Sequence, residues 1–282
     1  MIGVKLQGRL GNQLFQYAFA FAAAKKANTK FYLDKRLSHE VISQYFLTSH
    51  DSVNLLDKTL FAIKGFNGFF TSFLRLGFYS KLQRMLRLQT MEFSNDTMPA
   101  EEMQRIKNQC LYEGYFQSEQ YFEEYKTDIK SEFEIRGIFS TQFKKIFNSL
   151  PIGFKYVVVH IRKTDYITHN FDLPMSYFHG AIASIHNPNN FYIVISDDID
   201  LVSKEFGYLS NLYFSRNTEI IDFQFLKNAD ICILSNSSFS WWGAYLNSGN
   251  PQVIAPKHWL GYRTKKEHPL QAMPLNWIKF ES

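Results

Sequence analysis

The seven residues His160-Ile-Arg-Lys-Thr-Asp-Tyr166 carry one imidazole, two cations and one carboxylate, directly after the apolar run Tyr156-Val157-Val158-Val159. Such a run reads as a buried parallel strand, and open α/β sheets bind ligands beyond the carboxyl ends of their strands. Cations at that place suit a diphosphate, and a carboxylate beside them could accept a proton. His160, Arg162, Lys163 and Asp165 are therefore the first candidate site residues; a surface turn after a core strand is the competing reading.

Two further segments strengthen the first. Gln7-Gly8-Arg9-Leu10-Gly11-Asn12-Gln13 follows the short strand Ile2-Gly3-Val4-Lys5-Leu6. It is expected to open a helix from about Asn12 to Ala27, with Asn12 as N-cap. Gly8 and Gly11 would let the backbone approach a ligand, the first-turn N–H groups favour an anion, and Arg9 adds a fork donor. Ser235-Asn-Ser-Ser-Phe-Ser240 sits between the strand-like Asp230-Ile-Cys-Ile-Leu234 and a helix. Its four serines and one asparagine exceed what capping needs, and the surplus favours an anion site. Trp241 and Trp242 are expected to pack that helix onto the sheet.

Asp197 and Asp198 close the run Phe191-Tyr-Ile-Val-Ile-Ser196. Guanine presents a ring N–H and an exocyclic amine that one carboxylate can accept together. Helix capping is the alternative for whichever aspartate lies away from a ligand. A metal pair is not expected, since no third acidic or histidine ligand lies at a recognisable spacing.

Together, Gly8-Arg9-Leu10-Gly11-Asn12-Gln13-Leu14-Phe15-Gln16-Tyr17-Ala18, His160 to Tyr166, Ser196-Asp197-Asp198 and Ser235 to Trp242 closely resemble the bacterial α-1,2-fucosyltransferases of glycosyltransferase family 11, in order and spacing over nearly the whole chain. The resemblance implies an α/β, GT-B-like fold of two Rossmann-like domains facing a cleft. It implies inverting transfer of L-fucose from GDP-β-L-fucose to the 2-hydroxyl of a galactose, in an oligosaccharide or polysaccharide precursor, with no catalytic metal and no cofactor. By analogy with fucosyltransferases more broadly, Asp197 is the guanine candidate, and Ser237, Ser238 and Phe239 should line the diphosphate. One departure stands out. The family usually has two arginines in His-x-Arg-Arg-x-Asp, and here the second is Lys163, whose point charge cannot reproduce a planar bidentate contact. The diphosphate clamp is therefore expected at Arg162.

Charge decides the expected mechanism. Negative charge grows on GDP as the sugar leaves, and Arg162, the serine turn and Arg9 can stabilise it. Inversion asks for attack from the face opposite GDP, with Asp165, His169 and Asp172 as base candidates and Asp165 favoured. Asn12 could position the acceptor hydroxyl but cannot serve as a base. Other readings are a GDP-sugar transferase making another linkage, or a catalytically silent GDP- or glycan-binding module.

At 282 residues, with 17% aromatic and 20% charged side chains, the chain suits two ordinary globular domains and is not disordered. The expected domains are 1–150, on the acceptor side, and 151–282, binding GDP-fucose; beyond Pro151 apolar strands alternate with helices, as in a parallel sheet. The N-terminal segment lacks the regions of a signal peptide, and no apolar run reaches membrane-spanning length. Cys110 and Cys232 read as buried packing residues of a reducing compartment, and the expected location is cytoplasmic.

Lys58 to Met91 contains no acidic residue but carries Lys58, Lys64, Arg75, Lys81, Arg84 and Arg87 among many phenylalanines. Peripheral contact with an anionic membrane or a lipid-linked acceptor is one expectation; a helical subdomain with its aromatics turned inward is the other. Nucleic acid is not an expected partner, because the net charge of +5 forms no long basic stripe.

Overall fold

The computed structural model describes residues 1–61 and 68–282. Lys64 lies outside the described residues. The chain forms two compact units, Met1–Glu134 and Ile135–Ser282. The boundary falls ahead of the expected Pro151 because the helix Gly137–Phe147 packs with the second unit. Phe143 lies 5.2 Å from Phe225, Phe147 lies 4.8 Å from Tyr156, and Gln224 Nε2 donates to Phe139 O.

Unit one holds a parallel sheet of β1 (Ile2–Lys5), β2 (Phe31–Asp34), β3 (Gln89–Glu92) and β4 (Cys110–Glu113), in the order β2-β1-β4-β3. The helix Leu10–Lys26 crosses from β1 to β2 and is buried on nearly all sides, which its sequence permits by placing alanine or an aromatic at most positions. Phe19 stacks on Phe116 at 3.8 Å and meets Phe93, Tyr112 and Tyr121 edge-on. That helix begins at Leu10, with Arg9 as its N-cap, so Asn12 is not the cap. The region from 54 to 92 contains the helices Asn54–Phe61 and Gly68–Met85 and the strand β3. β3 (Gln-Thr-Met-Glu) shows no apolar alternation because it is an exposed edge strand.

Unit two is a six-stranded sheet of β5 (Lys155–Ile161), β6 (Asn190–Ser196), β7 (Leu212–Phe214), β8 (Ile231–Ile233), β9 (Gln252–Pro256) and β10 (Ile278–Phe280). Its order is β10-β9-β8-β5-β6-β7 with every pair parallel. Helices cover both faces, so the middles of β5 (Val157 to Val159) and β6 (Phe191 to Ile195) are apolar or aromatic, and Val157, Val159, Val194 and Ile233 are fully buried in one core. Burying each such side chain contributes roughly 1.5–3 kcal/mol. Chain order runs β5-β6-β7 one way from the centre and β8-β9-β10 the other. The sheet therefore reverses between β5 and β8, the place at which open α/β sheets hold ligands beyond the carboxyl ends of their strands. Cys110 and Cys232 are both buried and free.

Candidate active site

At the reversal point the two strand ends are tied together. His160, on the opposite face of β5 from Val159 and Ile161, is 5% exposed, and its Nδ1 lies 2.8 Å from Ser235 Oγ. The Ser235 N–H donates to His160 O at 3.0 Å. Burial, and then the Arg162 cation, push the imidazole down to about 3. His160 is thus a neutral strut, its ring 5.5 Å from that of Phe239.

Arg162 follows one residue beyond β5 and is held by two carboxylates. Its Nε donates to Asp165 Oδ1 at 2.8 Å and lies 3.1 Å from Asp197 Oδ2, while Nη2 reaches Asp165 Oδ1 at 2.7 Å. The guanidinium carbon sits 5.7 Å from the centre of the Tyr166 ring. Nη1 stands outside these pairs. A guanidinium fixed in this way presents its fork without first losing side-chain freedom.

Asp197 binds the loop after β5. Its Oδ1 accepts from the Lys163 N–H at 2.8 Å, and its Oδ2 accepts from the Thr164 N–H at 3.2 Å and from the Thr164 hydroxyl. With Arg162 also on Oδ2, that oxygen has no lone pair left for a bidentate contact with guanine. Its role in the structure is to position Arg162 and the start of the helix Thr164–Thr168. Asp198 caps the helix Ile199–Ser203 by accepting from the Leu201 N–H at 3.0 Å.

Lys163 points away from Arg162. It is buried, and its Nζ donates to Leu173 O at 2.9 Å and pairs with Asp172 at 3.3 Å. Asp172 also pairs with Arg263 at 3.4 Å. Lysine at this position fastens the 172–173 segment to the strand end. Of the three base candidates, His169 is exposed, Asp172 is held by two cations, and Asp165 has the most open carboxylate, with 38% of its side chain accessible against 24% for Asp172.

The helix Ser238–Tyr245 starts at Ser237, whose extended backbone makes no side-chain cap bond. Its first intrahelical donor to Ser237 O is Trp241 N–H, so the N–H groups of Ser238, Phe239 and Ser240 precede the ladder and point out of the helix start. Ser238 and Phe239 are half-buried. Trp241 and Trp242 are buried as expected, and Trp241 Nε1 donates to Ala272 O. Tyr166 joins this turn to Arg162: its ring lies beside the guanidinium and its hydroxyl, pushed up to about 12 chiefly by burial, donates to Asn236 O.

The sequence reading missed Asp222. This acid lies in the helix Glu219–Lys227, is 8% exposed, and is raised to about 7 by burial, with Ser215 Oγ donating to its Oδ1. The neighbouring Phe223 ring packs 5.5 Å from Phe239, which places the helix that carries the acid on the same side of the sheet as His160 and the serine turn, while the acid itself meets Ser215 just beyond β7. The signal was a single acid in the apolar run Ile220-Ile-Asp-Phe-Gln-Phe-Leu226.

In unit one, Gly8 has φ +72°, and a Cβ there would stand 2.5 Å from Asn12 Nδ2. Asn12 Oδ1 accepts from Gln117 Nε2 at 2.8 Å. The turn is set from below by two fully buried glutamines. Gln13 donates to Gly8 O and His39 O and accepts from the Val41 N–H, and Gln16 bridges Gln7 N–H and Gly114 O. Arg9 is exposed, and Gly11 is buried within the helix.

The glycosyl transferase family 11 model matches residues 1–281. An Escherichia coli α-1,2-colitosyltransferase is 27% identical over 299 residues, covering 100% of this chain and 99% of that protein. The E. coli O-antigen biosynthesis glycosyltransferase WbnK is 26% identical over 298 residues, covering 93% and 96%. The fucosyltransferase NodZ from Bradyrhizobium is 11% identical, with a TM-score of 0.55 over 90% of this chain and 94% of that one. That likeness shows the fold, an α/β arrangement of GT-B type with two Rossmann-like units. By the match over its whole length, the chain belongs to glycosyl transferase family 11.

Proposed function

We propose that this glycosyl transferase moves L-fucose from GDP-β-L-fucose, with inversion, to the 2-hydroxyl of a galactose in a glycan precursor. The observation that carries the reading is Arg162, pinned by Asp165 and Asp197 at the end of β5 and joined through Tyr166 to the uncapped start of Ser238–Tyr245. These donors suit the diphosphate, where charge grows as the C1–O bond breaks and its electron pair leaves with GDP. The acceptor oxygen then bonds to C1 from the opposite face, and its proton passes to Asp165, the most open carboxylate of the loop. Unit two is the donor domain in this reading. Asp222 takes the guanine N–H groups, since Asp197 Oδ2 is already taken by Arg162 and Thr164 and its Oδ1 by the Lys163 N–H.

Support for the donor comes from NodZ, an α-1,6-fucosyltransferase crystallised with GDP and soaked with GDP-fucose, and support for the linkage from the α-1,2-colitosyltransferase relative. That relative also favours a second reading, a colitosyl donor. The test is to offer GDP-fucose and a colitosyl donor with galactose-terminated acceptors, with and without excess chelator, and to determine the product linkage. Fucosylation at a galactose 2-hydroxyl that persists in chelator is the expected result. Another linkage, or transfer of colitose alone, would replace the reading.

A further inference from the structure

The helices Asn54–Phe61 and Gly68–Met85 have one face covered and one bare. Their inner sides meet each other and the core: Phe61 packs 5.8 Å from Phe78, Arg75 pairs with Asp57, and the buried Tyr79 hydroxyl donates to Asp57 at 3.1 Å. The outer sides are apolar as well. Leu55 is 74% exposed, Leu60 51%, Phe73 66% and Met85 69%. Helical spacing puts Phe73, Leu76, Gly77 and Arg84 on one face with Lys81 at its border. An apolar face of this extent on a soluble unit marks a contact surface.

The charges around it select the occupant. Between Lys58 and Met91 every charged residue is a cation, and Lys58, Lys81, Arg84 and Arg87 are exposed. Asp57, at the edge of this stretch, is buried against Arg75 and Lys35. A second copy of the chain docked face to face would set these cations against one another, since an isologous interface brings each patch onto itself. No helix among the described residues is long and apolar enough to cross a membrane. The geometry points to peripheral docking on an anionic lipid surface, with Phe73 and the leucines entering the headgroup boundary and the lysines and arginines lying among the phosphates. This does not depend on which sugar the protein transfers.

The test is co-sedimentation of the whole chain with phosphatidylcholine vesicles, with and without phosphatidylglycerol. Binding only to the anionic vesicles, released by salt, is expected. The Lys81→Glu/Arg84→Glu variant should partition at least about tenfold less. Phe73→Ser should also bind less, and both variants should melt and turn over a soluble acceptor like the parent. Failure to bind anionic vesicles, equal partition into both vesicle types, or unchanged binding by the charge-reversed variant would overturn the proposal. So would a dimer in sedimentation velocity that Phe73→Ser dissociates, which would give the face to a second copy.

Discussion

Asp197 Oδ2 lies 3.1 Å from Nε of Arg162, and the two residues come from the ends of neighbouring strands β6 and β5. Because Asp197 also accepts from the Lys163 and Thr164 N–H groups, it fixes at once the backbone that carries Arg162 and the direction of its guanidinium. A carboxylate committed in this way acts on the reaction through Arg162.

Asp197→Asn should therefore lower turnover by up to about a hundredfold, the scale of a displaced catalytic group, while GDP affinity changes little. Steady-state kinetics and calorimetry on the folded variant separate the two effects. A large loss of GDP affinity with normal turnover would return the guanine contact to Asp197.

Arg162→Lys keeps the charge and loses the fork. Turnover should fall about a hundredfold, the scale of one lost oxyanion donor, with a smaller change in KM. Lys163→Met should behave differently, because Lys163 Nζ serves Leu173 O and Asp172. Its expected signature is a stability loss of about 2 kcal/mol in denaturant melts. Were Lys163→Met to abolish turnover without loss of stability, the clamp would have to move off Arg162.

Much of this was legible because the physics is local. Val157, Val158 and Val159 are apolar without a break since both faces of β5 are covered, and the motif at its end lies where a parallel sheet must place it. Gly8 announced its turn because a side chain there would collide with Asn12. What the sequence hid depends on residues brought together from afar. Nothing in the spelling Arg162-Lys163 shows that one side chain turns toward Asp165 and Asp197, the latter beyond the next strand, and the other toward Leu173. The helix Gly68–Met85 was legible as part of a helical subdomain but not in its bounds, because apolar and basic residues are spread around it and leave no single stripe to read. The domain boundary was misplaced because the prolyl turn at Pro151 looks like a linker, whereas Phe143 and Phe147 carry their helix into the second core.

His160 should stay neutral through any ordinary assay range. Its folded value of about 3 lies below the ordinary 6.5, so the stability it contributes is present above 6.5 and is lost as pH falls toward 3. Its NMR ring shifts should be flat from neutral pH down to the onset of acid unfolding. Ser235→Ala removes the partner of Nδ1 and should cost about 1–3 kcal/mol. A ring that titrates near its ordinary value would show that the strut between β5 and β8 is not formed.

Asp222 has the opposite sign and carries the guanine proposal. Its folded value of about 7 lies above the ordinary 3.8, so its contribution to stability is present below 3.8 and is lost as pH rises through 7. Asp222→Asn removes that dependence, so the variant should gain on the parent as pH rises from 4 to 7 in melts without nucleotide. Bound GDP should reverse the ranking. If the guanine N–H groups stabilise the ionised carboxylate, the parent binds GDP more tightly by about 1.5–3 kcal/mol and discriminates it from ADP, whereas the variant loses both properties. Calorimetry with the two nucleotides, on both proteins at neutral pH, decides the matter. Equal GDP affinity in parent and variant would leave Asp222 as a buried acid satisfied by Ser215 alone and would send the search for the guanine contact elsewhere in unit two.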